Sequence, residues 1–174
     1  LMAVLKADAY GHGANSLASL SIQNGATLIG VSSIEEAVSL RDFGFEDSIL
    51  VMGGIYPFEN FSAVFEYNLI PTVASRESAT YLKAKSKEIN RRYPFHLKVD
   101  TGMGRLGMSV ESAKKFIEEF HGDPYLHLAG IYSHFSSADN DNETTMAQLN
   151  HFIYLQTDNQ QPFYIKYNNR IISS

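Results

Sequence analysis

The sequence predicts an α/β fold with parallel strands, and within it a (β/α)8 barrel that stops one strand short. Two observations carry this. Short apolar runs alternate with helical segments along the whole chain, and the connections between them are short, which favours a parallel sheet with right-handed crossovers. Three of the runs lead directly into polar stretches rich in chemistry, two of them punctuated by glycine, and the carboxy ends of strands are where α/β barrels keep their active groups. An open doubly wound sheet is the alternative. It would place G-x-G-x-x-G after the first strand, and Gly11-His12-Gly13 lacks the third glycine.

In chain order, Leu1 to Ala7 reads as the first strand, an apolar run that ends in Lys6. Residues 14–24 form a helix closed by Gly25, and Thr27 to Val31 a second strand. Ser32-Ser33 supplies an N-cap, with Glu35-Glu36 in the first turn of a helix that stops near Gly44. A third strand runs from Ser48 to Met52, a helix over 57–67, a strand from Leu69 to Val73, and a highly charged helix over 75–91 with a solvated face. Strand Phe95 to Asp100 leads into the glycine-rich loop Thr101 to Gly107. Ser109 caps a helix over 110–121. Strand His127 to Ser133, a polar loop to Asn142 and a helix over 143–157 follow, and Phe163 to Tyr167 reads as a seventh strand.

Composition narrows the function classes. The 174 residues are 44% hydrophobic, enough for one domain with a real core. A net charge of −5 argues against non-specific nucleic-acid binding, and the absence of cysteine excludes disulfides and thiolate metal sites. No apolar stretch approaches the roughly 20 residues of a membrane-spanning helix, and no signal peptide is visible, so a cytoplasmic location is expected. Leu1 begins mid-strand, so a preceding segment is expected to be missing.

Lys6 is the first candidate for chemistry. A lysine at the end of a buried strand is costly unless used, and desolvation turns it into a nucleophilic amine suited to a Schiff base. Tyr10 and His12 follow in a tight turn. In the stretch Lys98-Val99-Asp100-Thr101-Gly102-Met103-Gly104-Arg105-Leu106-Gly107, the glycines allow close approach of backbone to ligand, and Arg105 offers a planar guanidinium to a carboxylate or phenolate. Lys98 and Arg105 together would be two buried cations needing compensation. His134, leaving a strand, can pack flat on a ring.

Ala3-Val4-Leu5-Lys6-Ala7-Asp8-Ala9-Tyr10-Gly11-His12-Gly13 resembles the cofactor-lysine segment of alanine racemases, the fold-type III pyridoxal 5'-phosphate enzymes. Asp100 to Gly107 is similar to that family's Asp-Thr-Gly-Met-Gly-Arg-Leu-Gly signature. Ser133-His134-Phe135-Ser136-Ser137-Ala138-Asp139 resembles its Thr-His-Phe-Ala-x-Ala-Asp segment, with Ser133 and Ser136 as departures. The resemblance implies the cofactor-binding barrel domain, residues 1–174, without the carboxy-terminal β-domain. Lys6 would hold pyridoxal 5'-phosphate, Tyr10 would reach its phosphate, His134 would stack on it, Arg105 would face the substrate and Lys98 would be carbamylated. The implied reaction interconverts L- and D-alanine, which supplies D-alanine for peptidoglycan. The full-length form is expected to be a homodimer in which the partner's β-domain supplies the opposite-face tyrosine, and this chain alone is expected to be inactive. No metal is implied. A serine racemase domain of a membrane-anchored resistance protein and a non-catalytic barrel carrying the same cofactor are the alternatives. Ile165 to Arg170 matches the family's phosphate loop poorly, with only Asn169 in common.

Overall fold

A computed structural model describes residues 1–157, which fall into two compact units, Leu1–Thr72 and the described residues from Val73 onward. In the first unit, strands β1 (Met2–Val4), β2 (Leu28–Val31), β3 (Ile49–Val51) and β4 (Ile70–Val73) pair in sequence order, all parallel. The registers Ala3↔Ile29, Ile29↔Ile49 and Leu50↔Ile70 step regularly across the sheet. Between the strands run α1 (Lys6–Gly11), α2 (Ala14–Gln23), α3 (Ile34–Asp42) and α4 (Phe61–Glu66), the last preceded by a short 3-10 turn at Phe58–Asn60. The apolar runs become strands because both of their faces are covered. Ile29, Val31, Ile49, Leu50 and Val51 are all essentially inaccessible, as are Leu40 and Phe61 from the helices.

In the second unit α5 (Arg76–Glu88) opens with a capping box between Ser75 and Ser78. The long strand β5 (Tyr93–Asp100) pairs in parallel with β7 (Leu126–Tyr132) and with the two-residue strand β6 (Met108–Ser109). A register shift falls between Phe95 and His96. Helix α6 (Val110–Phe120) is capped by the Ser109 hydroxyl, which accepts from the Ser112 N–H at 3.2 Å. Tyr93, Phe95, Leu97 and Phe116 fill the core, and α7 (Asn142–Thr157) follows the loop after β7. Among the described residues no helix is long and apolar enough to cross a membrane.

The β/α alternation and the strand positions agree with the sequence reading. The differences lie at the ends. The first strand is only Met2–Val4 and is half-buried, because the chain turns sharply at Lys6. The helix expected over 57–67 is shorter and begins as a 3-10 turn, and the charged helix stops at Glu88. Strand β6 has no counterpart among the expected elements. The seventh strand expected at Phe163 to Tyr167, and Asn169 with it, lie outside the described residues.

Candidate functional site

In the first unit the residues expected to carry chemistry fall in the turn after β1. The Leu5 N–H still donates to the Gly30 carbonyl at 2.8 Å, and from Lys6 the chain leaves the sheet. Ala7, Asp8, Ala9 and Tyr10 then hold φ of 52°, 52°, 54° and 55°, one full turn of left-handed helix without a glycine. Such a conformation costs L-residues about 1–2 kcal/mol each, so it persists only when neighbours impose it. Here the neighbours are identifiable. The Ala7 N–H donates to Glu36 Oε1 at 2.7 Å and the Ala14 N–H to Asp8 Oδ1 at 2.7 Å. The Ala9 N–H donates to the Leu5 carbonyl at 2.9 Å, and His12 Nδ1 lies 2.9 Å from the Ala9 carbonyl. His12 therefore orders the turn.

Glu36 reaches this turn from the start of α3. Its Oε2 accepts from both the N–H and the hydroxyl of Ser32 at 2.7 Å. Partial burial alone would raise its pKa. The Ser32 hydroxyl and the N–H groups of Ser32, Ala7 and Ser33 outweigh that and hold the carboxyl below its usual range. The turn thus presents Lys6, half-buried, with its Nζ 5.8 Å from the ring centroid of an exposed Tyr10. The structure corrects one premise: Lys6 does not end a fully buried strand, because β1 itself is half-buried and the lysine opens the turn.

In the second unit Asp100, at the end of β5, organises the glycine-rich loop. Its Oδ1 accepts from the N–H groups of Gly102 at 2.9 Å and Gly104 at 3.0 Å, and its Oδ2 from that of Arg105 at 3.0 Å. Burial would raise the Asp100 pKa, but these N–H groups and that of Met103 hold it low. The loop then folds back on its own strand. A Cβ at Gly107, where φ is +135°, would stand 2.6 Å from the Asp100 nitrogen and 2.8 Å from the Val99 carbonyl carbon, so only glycine fits.

Lys98 is buried at 7% exposure and pairs in register with Tyr132, with its Nζ 4.5 Å from that ring's centroid. Arg105 is exposed. Only one member of the expected pair of buried cations is therefore buried: Asp100 ties down the Arg105 backbone N–H while the residue itself stands exposed on the loop. His134 is half-buried just beyond β7, and the hydroxyls of Thr101 and Ser133 lie 2.7 Å apart, joining the two loop starts.

His96 stands on β5 opposite Gly130 of β7, and burial pushes its pKa down to about 4, so it is neutral at physiological pH. Within the first unit the structure brings Lys6 and Tyr10 together. Within the second it joins the segments that carry Lys98, Arg105 and His134. Sequence reasoning missed Glu36 as the tie of the Lys6 turn and Gln148 as a tie in the second unit. An acid in a first helical turn signals only a cap, and a lone glutamine on a helix carries no signal.

Comparison with known proteins identifies the family. Residues 1–169 match the family described as alanine racemase, N-terminal domain. The chain is 40% identical over 148 residues to the alanine racemase of Synechocystis sp., covering 85% of this chain and 40% of that protein. It is 39% identical over 158 residues to that of Clostridium tetani, covering 89% and 40%. The chain thus spans about two fifths of the length of these curated relatives. Among solved structures, alanine racemase from Clostridium difficile 630 superposes with a TM-score of 0.81 at 32% identity over 88% of this chain and 41% of that one. A histidine racemase from Leuconostoc mesenteroides subsp. sake gives 0.81 at 30% identity over 99% and 45%. The parallel β/α units described above are those of a known domain: the chain belongs to the alanine racemase family, matching its N-terminal domain.

Proposed function

We propose that this chain is the cofactor-binding part of a pyridoxal 5'-phosphate-dependent racemase that interconverts L- and D-alanine. The observation that carries the reading is the Lys6 turn, where an amine and a phenol are held at the end of β1 by a left-handed segment tied to Glu36. The donor set fits the group. A primary amine suits an aldehyde, a phenol suits a phosphate oxygen, and an imidazole suits the face of an aromatic ring. Lys6 would hold the aldehyde carbon and Tyr10 the phosphate, and the resemblance assigns the ring to His134. When bound, this cofactor draws electron density from the α-carbon of an attached amino acid and so acidifies its α-proton.

The chain's own residues supply the rest. Lys6 Nζ accepts and returns a proton on one face of the α-carbon. The Arg105 guanidinium, exposed on its loop, is available to a carboxylate. Carbamylation of the buried Lys98, in which its neutral amine adds carbon dioxide and releases a proton, would replace a cation by an anion. The resemblance assigns the opposite-face proton to a partner subunit's tyrosine. We extend the reading on that basis to a homodimer in the cytoplasm supplying peptidoglycan synthesis. Alanine is favoured by the names and roughly 40% identity of the curated relatives. The similarity to a histidine racemase makes histidine the comparison substrate, and serine is assayed beside it.

The test is chemical. Borohydride treatment of the complete protein loaded with pyridoxal 5'-phosphate, followed by peptide mapping, should place the reduced adduct on Lys6, and Lys6→Ala should abolish it. An adduct on Lys98, or none, refutes the assignment. A coupled assay should then show turnover of alanine ahead of serine and histidine.

A further inference from the structure

The loop after β5 and the segment after β7 share a side chain that belongs to neither. Gln148 lies on α7, is 2% exposed, and spends both ends of its amide on these loops. Its Nε2 donates to Thr101 Oγ1 at 3.2 Å and to the His134 carbonyl at 3.1 Å. Its Oε1 accepts from the N–H of Ser136 at 2.9 Å and from the Ser136 hydroxyl at 3.0 Å. The amide orientation is the one this network requires, since the oxygen faces two donors and the nitrogen faces a carbonyl.

Two further contacts tighten the arrangement. A Cβ at Gly102 would stand 3.3 Å from Gln148 Cγ, so the glycine loop lies directly against the glutamine stem. Three residues along α7, His151 Nδ1 lies 3.2 Å from the Thr101 carbonyl. Helix α7 thus grips the start of the glycine loop at two points while its glutamine holds the His134 carbonyl and Ser136 in the other loop. Burial makes the network consequential, because a buried amide deprived of its partners loses the full value of their hydrogen bonds.

We propose that Gln148 is a positioning residue that couples the two loops, so that the segment carrying Arg105 and the segment carrying His134 move as one body. It touches neither cofactor nor substrate and acts through Thr101 and through the backbone of His134 and Ser136. Its bearing on cofactor binding rests on the racemase reading, but the coupling does not.

Amide hydrogen exchange on the cofactor-free complete protein tests the coupling. Gln148→Met keeps length and removes both polar ends. It should speed exchange about tenfold or more at Gly102, Gly104, Arg105 and Ser136, while the amides of β5 and β7 stay protected. Thr101→Val removes the acceptor of Gln148 Nε2 and also the hydroxyl contact to Ser133, so Ser133→Ala, which removes only the latter, is its control. Thr101→Val should speed exchange at Ser136 beyond Ser133→Ala, and this pair decides the matter if Gln148→Met does not fold. Exchange that rises only on the altered side, or rises equally through the strands, overturns the inference. On the loaded protein both variants should weaken pyridoxal 5'-phosphate binding about tenfold with unchanged adduct chemistry at Lys6. Wild-type protein that takes up no pyridoxal 5'-phosphate would refute the racemase reading, while the exchange results would still decide the coupling.

Discussion

Replacing Glu36 by glutamine tests whether the Lys6 turn is imposed by its neighbours. The four left-handed residues Ala7–Tyr10 together store about 4–8 kcal/mol at the usual cost per residue. Glu36 receives three hydrogen bonds, each 2.7 Å long, from Ala7 and Ser32. In Glu36→Gln one of the two acceptor oxygens becomes an NH2 group. If that group faces Ala7, two N–H donors confront each other; if it faces Ser32, the hydroxyl can rotate to accept but the backbone N–H cannot. Either orientation forfeits one charge-assisted bond to a backbone N–H, worth about 1.5–3 kcal/mol. Ala7 and Ser32 are exposed, and water recovers part of this, so the net loss should be about 1–2 kcal/mol.

The pH dependence gives an independent reading of the same contact. The Glu36 carboxyl is held below its usual range, so its contribution is complete above the ordinary glutamate value and lost as pH falls through the lowered folded value. Wild-type stability should therefore decline across that acidic window, and the glutamine variant should show a flatter profile there. The assay is denaturant unfolding at several pH values, paired with titration of pyridoxal 5'-phosphate. A loss of about 1.4 kcal/mol at the turn corresponds to about tenfold weaker cofactor binding if all of it is expressed there. A glutamine variant with wild-type stability, the same acid profile and unchanged cofactor affinity would refute the claim that Glu36 holds the turn.

Two further outcomes follow from the second unit. Gly130→Ala would place a methyl group 2.7–2.9 Å from three atoms of the His96 ring, which is 7% exposed and cannot withdraw. It should destabilise by about 1–3 kcal/mol, and a ring-deleting second change, His96→Ala, should relieve the clash; an unaltered melting temperature in Gly130→Ala would contradict the packing. Lys98 carbamylation should give a carbamate signal with isotopically labelled carbon dioxide, lost in Lys98→Arg and on acidification, and its absence near neutral pH would show that Tyr132 and the surrounding groups accommodate the lysine unmodified.

What could be read from sequence was what local chemistry specifies. The strands β2 to β5 and β7 announce themselves as apolar runs, and Ser33 and Ser109 each precede a helix that they cap; Ser75, read as the first residue of its helix, is instead its cap. The glycine loop was legible because three glycines in six residues are incompatible with a regular strand or helix there. The left-handed turn was not legible: Ala7, Asp8, Ala9 and Tyr10 contain no glycine, and its cause is a carboxylate 29 residues away. Nor was the exposed position of Arg105, whose backbone N–H Asp100 ties down. Gln148 meets Thr101 across 47 residues, and nothing near it in the chain distinguishes it from a solvated helical glutamine.

The two units solve the same problem in the same way. In each, the residues proposed for chemistry stand in a segment leaving a parallel strand, where the sheet no longer supplies partners for the backbone. A carboxylate takes those partners over: Glu36 receives N–H groups from the turn after Lys6 and from the end of β2, and Asp100 receives three from the loop that carries Arg105. Both carboxyls are held below their usual range by these bonds. Each anion therefore fixes backbone geometry and leaves the neighbouring cationic side chain, Lys6 or Arg105, out of its own hydrogen bonds. A lysine or arginine engaged in an ion pair with the same carboxylate would be positioned equally well but would no longer be available to a ligand. Holding the loop through its amides instead leaves the amine and the guanidinium available for the proposed chemistry.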